Sequence, residues 1–443
     1  MKKLIFGGLL SLAICGSGKA ATNSLVSSNT VYNMIQLYGA GSNYVNQFMT
    51  VIQPNATTAT IQAAVNAGGA VWFIPSSTPY TITTNISLTN RVTLYGNGSV
   101  FTPSSTLTNF MFDSNTNTMA GEPHMKNMIF DGGVRDYFAG TSNLFRLLNG
   151  TPTIYYNPYY SNRSALRISA SSGGIIEDCT FYGWSGNGLV VVNPNHSSQA
   201  HYGKRTEIFN NTFYSNFCGM YLVGDSYETA AYYNNPAPWK LATAEYTGVR
   251  ANKFFRNYLG LGGGAANCQI EGNFFTGNQI GSHLGAAVNS GMHGITLGNT
   301  WNHNNYGLWC ESAQAGPIRN NNFLANTYAG FIGGAVTQLQ LENNWFGGPT
   351  DTIIVTNGST GYIAYNHYVG TWAAFAPVIT NAVIVHDNRS STVASDSDGS
   401  GYLTGTNYVA QLFNNTNWPK LVWSNKVLYA VTNTKTNLVS NGE

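Results

Sequence analysis

Apolar and polar positions along this chain recur as a six-residue phrase with an apolar residue first, usually an asparagine fourth and an aromatic sixth. The copies are IEDCTF (176–181), IFNNTF (208–213), VRANKF (249–254), IEGNFF (270–275), TLGNTW (296–301), IRNNNF (318–323), LENNWF (341–346) and IAYNHY (363–368). Their fourth positions are Cys179, Asn211, Asn252, Asn273, Asn299, Asn321, Asn344 and Asn366, separated by 32, 41, 21, 26, 22, 23 and 22 residues. A period near 22 is too short for a helical hairpin and suits a coil of three short strands joined by turns. The chain therefore reads as all-β, a single-stranded right-handed parallel β-helix. In such a stack the asparagines form a ladder that satisfies turn backbone, and the sixth-position aromatics pile up inside. Leucine-rich repeats share the period, but their leucine framework is absent.

A glycine and a short strand follow each phrase: GLVVV (188–192), GMYLV (219–223), GSHLG (281–285), GLWCE (307–311) and GFIGG (330–334). Alternation along a strand puts one outward set at Val190, Tyr221, His283, Trp309 and Ile332, and the next at Val192, Val223, Gly285, Glu311 and Gly334. This strand is predicted to floor a binding groove. Towards the N-terminus, TIQAAVNAGG (60–69) reads as an amphipathic helix capping the open end of the stack. AVWFIP (70–75), TITTNISLTNRVTLYGNGS (81–99) and MIFDGG (128–133) read as early coils. This stretch resembles the start of pectate-lyase-like β-helix proteins, and the resemblance extends over roughly residues 35 to 390. It departs from them just before the helix, where VIQPNATTAT (51–60) replaces an acidic, glycine-rich segment. The resemblance implies a polysaccharide target. The same fold hosts lyases, hydrolases, epimerases and adhesive proteins, so it does not select a reaction.

Two spacings in the ladder exceed the period, which places insertions at about Asn193–Glu207 and Gly224–Gly248. Both follow the groove strand, and long loops on a rigid scaffold are favoured carriers of function. They hold His196, His201, Lys204, Arg205, Glu207, Asp225, Glu228, Trp239, Lys240 and Glu245, a concentration of charge in a chain with only 9% charged residues. Glu177-Asp178 resembles a catalytic pair, but it fills the same repeat slots as Glu271-Gly272 and Glu342-Asn343 and reads as surface decoration. His283, Trp309 and Glu311 fall on neighbouring coils, roughly 5 Å apart by strand spacing, with His293 in the slightly longer coil between them.

An aromatic face beside a carboxylate and an imidazole is suited to stack a sugar and move a proton. The expected catalytic set is Glu311, His283, His293, Asp225 and Glu228, with Trp309, Tyr221, Lys204, Arg205, Trp239 and Lys240 binding substrate. MHGITLG (292–298) is similar to the polygalacturonase histidine motif. That family's carboxylates should stand just before the groove-strand glycine, where this chain has Asn187, Cys218, Leu259, Ile280, Tyr306 and Ala329. A hydrolase needs two carboxylates roughly 5 to 9.5 Å apart. A β-eliminating lyase needs a base and a neutraliser of the uronate, either Ca²⁺ or Arg/Lys, and no acidic cluster offers a Ca²⁺ cage. The sequence leaves hydrolase, lyase and non-catalytic adhesive β-helix open, names no cofactor and does not fix an oligomeric state.

Residues 1–20 combine Lys2 and Lys3, an apolar run to Cys15 and small residues ending at Ala20, the pattern of a secretory signal peptide. A lipid on Cys15 is disfavoured by the bulky Ile14. The expected organisation is signal peptide 1–20, β-helix 21–390 and an Asn/Thr-rich tail or cap 391–443, in a secreted protein without a membrane span. A net charge of +2 argues against nucleic acid as a partner. The 43% hydrophobic residues suffice for a large core. Cys179, Cys218, Cys268 and Cys310 have neither metal nor redox spacing and read as buried thiols.

Overall fold

A computed structural model of the protein describes residues 49–114, 122–133, 164–169, 173–192, 206–222, 247–263, 267–284, 294–314, 316–347, 353–355, 360–369, 378–379, 383–386, 388–391, 408–410, 420–424, 427–431 and 436–439. Its strands pair in parallel with the equivalent strand one coil away, in sheets of 23 and 11 strands. The larger sheet takes two strands from each coil, for example Gly174–Glu177 and Thr180–Tyr182, and the smaller takes the third, Asn187–Val192. Parallel crossovers in one sheet are right-handed, and the chain is a right-handed parallel β-helix. Helix α1 (Thr58–Ala67) sits at its start. The Thr57 side chain accepts from Thr60 N as the N-cap, and Gly68 ends the helix at φ 71°. The core is a single run of side chains inside the coils, from Ile52 to Tyr368.

The corner between the first and second strands turns at one residue with positive φ, such as Asp178, Asn210, Ala251, Asn320 or Tyr365, with Gly272 and Gly298 in the same place. The residue after it is the ladder asparagine. Each Oδ1 accepts from the backbone N and from Nδ2 of the asparagine one coil earlier, in an unbroken series from Asn211 through Asn388. Each Nδ2 also holds a backbone carbonyl, as Asn252 holds Ile208 O at 2.9 Å. The aromatics two residues on form the expected internal stack. It begins one coil earlier than the phrase repeat, at Phe130, and runs to Tyr368 with ring centroids 4.7–5.4 Å apart.

A second ladder was not foreseen. Asn216, Asn257, Asn278, Asn304 and Asn326 repeat the same bonds at the corner between the second and third strands. Their Nδ2 groups hold the carbonyl of the stacked aromatic one coil earlier, from Phe181 O to Trp301 O. The third strand begins with a column of glycines for a steric reason. A Cβ on Gly188, Gly219, Gly260, Gly281 or Gly307 would meet the next coil's carbonyl oxygen at 2.3–2.6 Å. That column continues at Ala329, because Leu308 pairs with Gly330 and Trp309 with Phe331. Matching glycine to glycine therefore slipped the last coil by one residue. Phe331, not Ile332, is level with Trp309, and Tyr328, not Ala329, is level with Tyr306.

The outer face of the first strands carries ion pairs. Arg250 spans three coils, bonding Glu207, Gln269 and Glu271, the last at 2.9 Å. Glu177 accepts from Lys126 at 3.1 Å and lies 2.8 Å from His124 Nε2, so the supposed surface decoration is a half-buried link between coils. Burial alone would raise its carboxyl, but the bonds to His124 and Lys126 outweigh that and hold it below the ordinary range. The four strands Tyr408–Ala410, Lys420–Ser424, Val427–Val431 and Thr436–Val439 form a separate antiparallel sheet. Residues 1–48, including the expected signal peptide, lie outside the described residues. Among the described residues no helix is long and apolar enough to cross a membrane.

Asn321→Ala removes acceptors from Asn299 and a donor from Thr296 O and Asn344. It should cost about 1–3 kcal/mol in urea unfolding; an unchanged midpoint would refute the ladder's energetic role. Because the folded-state pKa of Glu177 is depressed, its stabilisation is present above the unfolded value of about 4.3 and is lost as pH falls through the lower folded value. Glu177→Gln should therefore flatten the acid limb of the stability curve below roughly pH 4. An identical acid limb in both proteins would count against the link.

Candidate functional site

The third strands place one residue per coil in an outward column: Asp113, Arg167, Val190, Tyr221, Gly262, His283 and Trp309. The inward neighbours Leu189, Met220, Leu261 and Leu308 belong to the core, so alternation assigned the two sides correctly. It did not foresee that the outer side is also covered. Tyr221 is 7% exposed, and His283 and Trp309 are 3% exposed. They sit in or against a second apolar cluster with Phe110, Val190, Phe217 and Tyr258. Together these residues make a buried wall instead of an open groove floor.

Within that wall, His283 meets Trp309 edge to face at 5.5 Å, and Trp309 meets Tyr306 at 5.4 Å. Gly262 makes room for Tyr221: a Cβ there would stand 3.1 Å from the tyrosine ring. Phe217 stacks on Tyr258, whose hydroxyl is pushed up to about 12 by burial. Towards later coils the face opens, where Tyr306 and Tyr328 stack at 5.0 Å and are half-exposed. Burial raises the Tyr306 hydroxyl as well. Neither Tyr258 nor Tyr306 is poised as a base near neutral pH.

The sequence reading missed the other end of the column. Arg167 grips Asp113 with two parallel bonds, Nε to Oδ1 at 2.8 Å and Nη2 to Oδ2 at 2.5 Å. Its guanidinium lies 4.5 Å from the centre of the Phe110 ring. Each side chain of the pair keeps 17% of its surface open. Planar bidentate pairing of this kind fixes a guanidinium in direction. The signal was present in SALRIS (164–169), but this third strand is separated from its phrase, MIFDGG, by residues 134–163, and the period did not reach it.

Glu311 lies in Tyr306–Gln314 opposite Gly333, and the register shifts between Glu311 and Ala313. Its backbone is thus on the expected strand two residues past Trp309, while its side chain is outside the described residues. His293, Asp225, Glu228, Lys204, Arg205, Trp239 and Lys240 also fall outside them. The strand ends do fix where both insertions start. Val192 and Leu222 close paired third strands, and Thr206 and Thr247 open paired first strands. Elsewhere the same corner is crossed in as little as one residue, Gln338, between Thr337 and Leu339.

All four cysteines are buried. Burial pushes the Cys179 thiol up to about 12 and raises that of Cys218 too, so neither serves as a nucleophile. Among the described residues no group of three or more His, Cys, Asp or Glu side chains is placed to hold a metal ion.

No protein-family model and no curated protein matches the chain. Among solved structures it is similar to the ORF18 protein of Geobacillus virus E2, at 14% identity over 96% of this chain and 80% of that one, with a TM-score of 0.42. It is also similar to the A-module of the mannuronan C-5 epimerase AlgE6 of Azotobacter vinelandii, at 15% identity over 75% and 95%, with a TM-score of 0.43. The surface adhesin PfbA of Streptococcus pneumoniae is 11% identical over 90% and 99%, with a TM-score of 0.45.

Trp309→Ala empties a fully packed position and should cost about 3–5 kcal/mol of stability, read by urea or thermal unfolding. A loss confined to ligand affinity, with stability intact, would restore the exposed-floor reading.

Proposed function

We propose that this is an exported, carbohydrate-active β-helix protein that holds a polysaccharide against the outer face of its third-strand sheet and cleaves it there. The observation carrying the proposal is the chemistry of that face. Tyr306 and Tyr328 stack half-exposed on it, the buried Tyr221, Tyr258, His283 and Trp309 pack beside them, Arg167 and Asp113 stand at the other end, and the two ladder-interrupting insertions leave from its strand ends. Aromatic rings with few, directed polar groups suit sugar rings. The ladders beneath keep the sheet rigid, which catalytic alignment requires.

In this reading Tyr306 and Tyr328 offer the open stacking surface. Arg167, held in direction by Asp113, supplies the positive charge at that end of the face for an acidic or hydroxyl group of the substrate. Glu311 is the proton-transfer group, on the strand that also carries Trp309. The buried His283 and Trp309 support these groups from behind. A second reading, a glycan-binding surface protein without turnover, is favoured by the paucity of carboxylates: on the described part of this face, Asp113 is engaged by Arg167.

A panel of neutral and uronate-containing polysaccharides decides between them, followed by reducing-end release for hydrolysis and ultraviolet absorbance of the unsaturated product for β-elimination. On a substrate the parent cleaves, Glu311→Gln should lower kcat about 10²-fold or more and leave binding in place. Full turnover in that variant removes Glu311 from the mechanism. Binding without any cleavage by the parent establishes the second reading, and neither binding nor cleavage rejects the carbohydrate assignment.

A further inference from the structure

The three outward faces of the solenoid differ in chemistry. The first strands carry ion pairs, and the third strands an aromatic wall that is largely buried. The second strands present something else. In register along them stand Tyr182, Tyr214 and Phe255, with Phe274 and Trp345 in the neighbouring column. Between and beside these lie Thr180, Thr212, Thr276, Thr300, Asn302 and Asn322. All are half-exposed or exposed, Trp345 to 39%. Lys253 is the only charged residue on the second strands from Thr180 to Phe346 among the described residues.

This face is also flat for a structural reason. One asparagine ladder bounds it on each side, and the two stand five residues apart in every coil from Asn211/Asn216 to Asn321/Asn326. Between Tyr214 and Asn322 this constant strand with its constant corners carries no insertion at either edge, and Trp345, one coil further on, stacks face to face on His367 at 4.2 Å. Successive coils are about 4.8 Å apart, and Phe255 and Phe274 meet edge to face at 6.1 Å.

We propose that this face is a second glycan-binding surface, one that adsorbs the protein onto a neutral, insoluble polysaccharide. Exposed rings meet the C–H faces of sugars, and the threonine and asparagine side chains exchange hydrogen bonds with sugar hydroxyls. The near absence of charge is complementary to an uncharged polymer and unfavourable to an acidic one. A flat face suits packed chains, whereas a single dissolved chain is better enclosed by a concave groove. The proposal takes only the carbohydrate target from the reading above; it needs no cleavage and uses a different sheet.

The test is depletion of the full-length protein from solution by microcrystalline cellulose, chitin and insoluble xylan, with turnover or binding of soluble polysaccharide measured in parallel. The wild type should partition onto at least one of the three solids. A Tyr214→Ser, Phe255→Ser, Trp345→Ala variant should partition about tenfold less or weaker still, with its soluble-substrate behaviour unchanged. Thr300→Lys with Asn322→Lys, in the column where Lys253 already stands, adds charge without removing a ring and should cause a similar loss; both variants are checked for an unchanged Tm. The proposal is overturned if the wild type adsorbs to none of the solids or if a folded face variant adsorbs as well as the wild type. It is equally overturned if adsorption is competed away by the soluble polysaccharide, which would assign it to the other sheet.

Discussion

Each coil makes two sharp corners, and at each the backbone enters the left-handed region, where an ordinary side chain costs roughly 1–2 kcal/mol. The corners also leave amide and carbonyl groups pointing into a stack that admits no water. The asparagine that follows each left-handed residue meets the second demand, because its amide is donor and acceptor at once. One Oδ1 receives two N–H groups from the coil before it, and one Nδ2 serves a carbonyl and the next Oδ1. The bond pattern is self-propagating, so every coil fixes the position of the next. The aromatic stack, the glycine column and the register of all three faces follow from that constraint.

The constraint explains which parts of the fold were legible. A residue that must be asparagine in every coil leaves a letter at a fixed interval, and the first ladder could be read directly. The second ladder is equally periodic, five residues further on, but Asn216 and its equivalents fall after the aromatic that ends the phrase, outside the repeat unit. The slip at Gly330 has the opposite origin. The close approach of the next carbonyl is at Gly188, Gly219, Gly260, Gly281 and Gly307; Ala329 holds the same place one coil on, and Gly330 has no such contact. Spatial equivalence persisted where letter identity failed.

The candidate site was legible only in part, for a physical reason. Alternation along a strand settles which side of a sheet a residue occupies, and it placed His283 and Trp309 correctly outside the solenoid. It carries no information on what lies over that side. Both residues proved buried, and their first duty is packing. Arg167 was overlooked because residues 134–163 separate its strand from the phrase that would have indexed it, and Asp113 because its strand, Phe110–Asp113, precedes the first copy of the phrase. A site built across coils draws residues distant in sequence, and the repeat helps only where it is unbroken.

That difference suggests how a solenoid of this kind divides its labour. Corners closed by the ladders cannot vary in length, so the second strands between them stay flat and their chemistry is set by side chains alone. The corner after the third strand has no described asparagine ladder and tolerates anything from a single residue to a long insertion. Within the coils that carry both ladders, variation in length is therefore confined to that corner, next to the face that carries the aromatic wall. In those coils a concave site can be walled only there. Broad and shape-tolerant contact, if the protein makes it, must use a flat face, and of the two flat faces the first-strand one is already occupied by ion pairs running between coils.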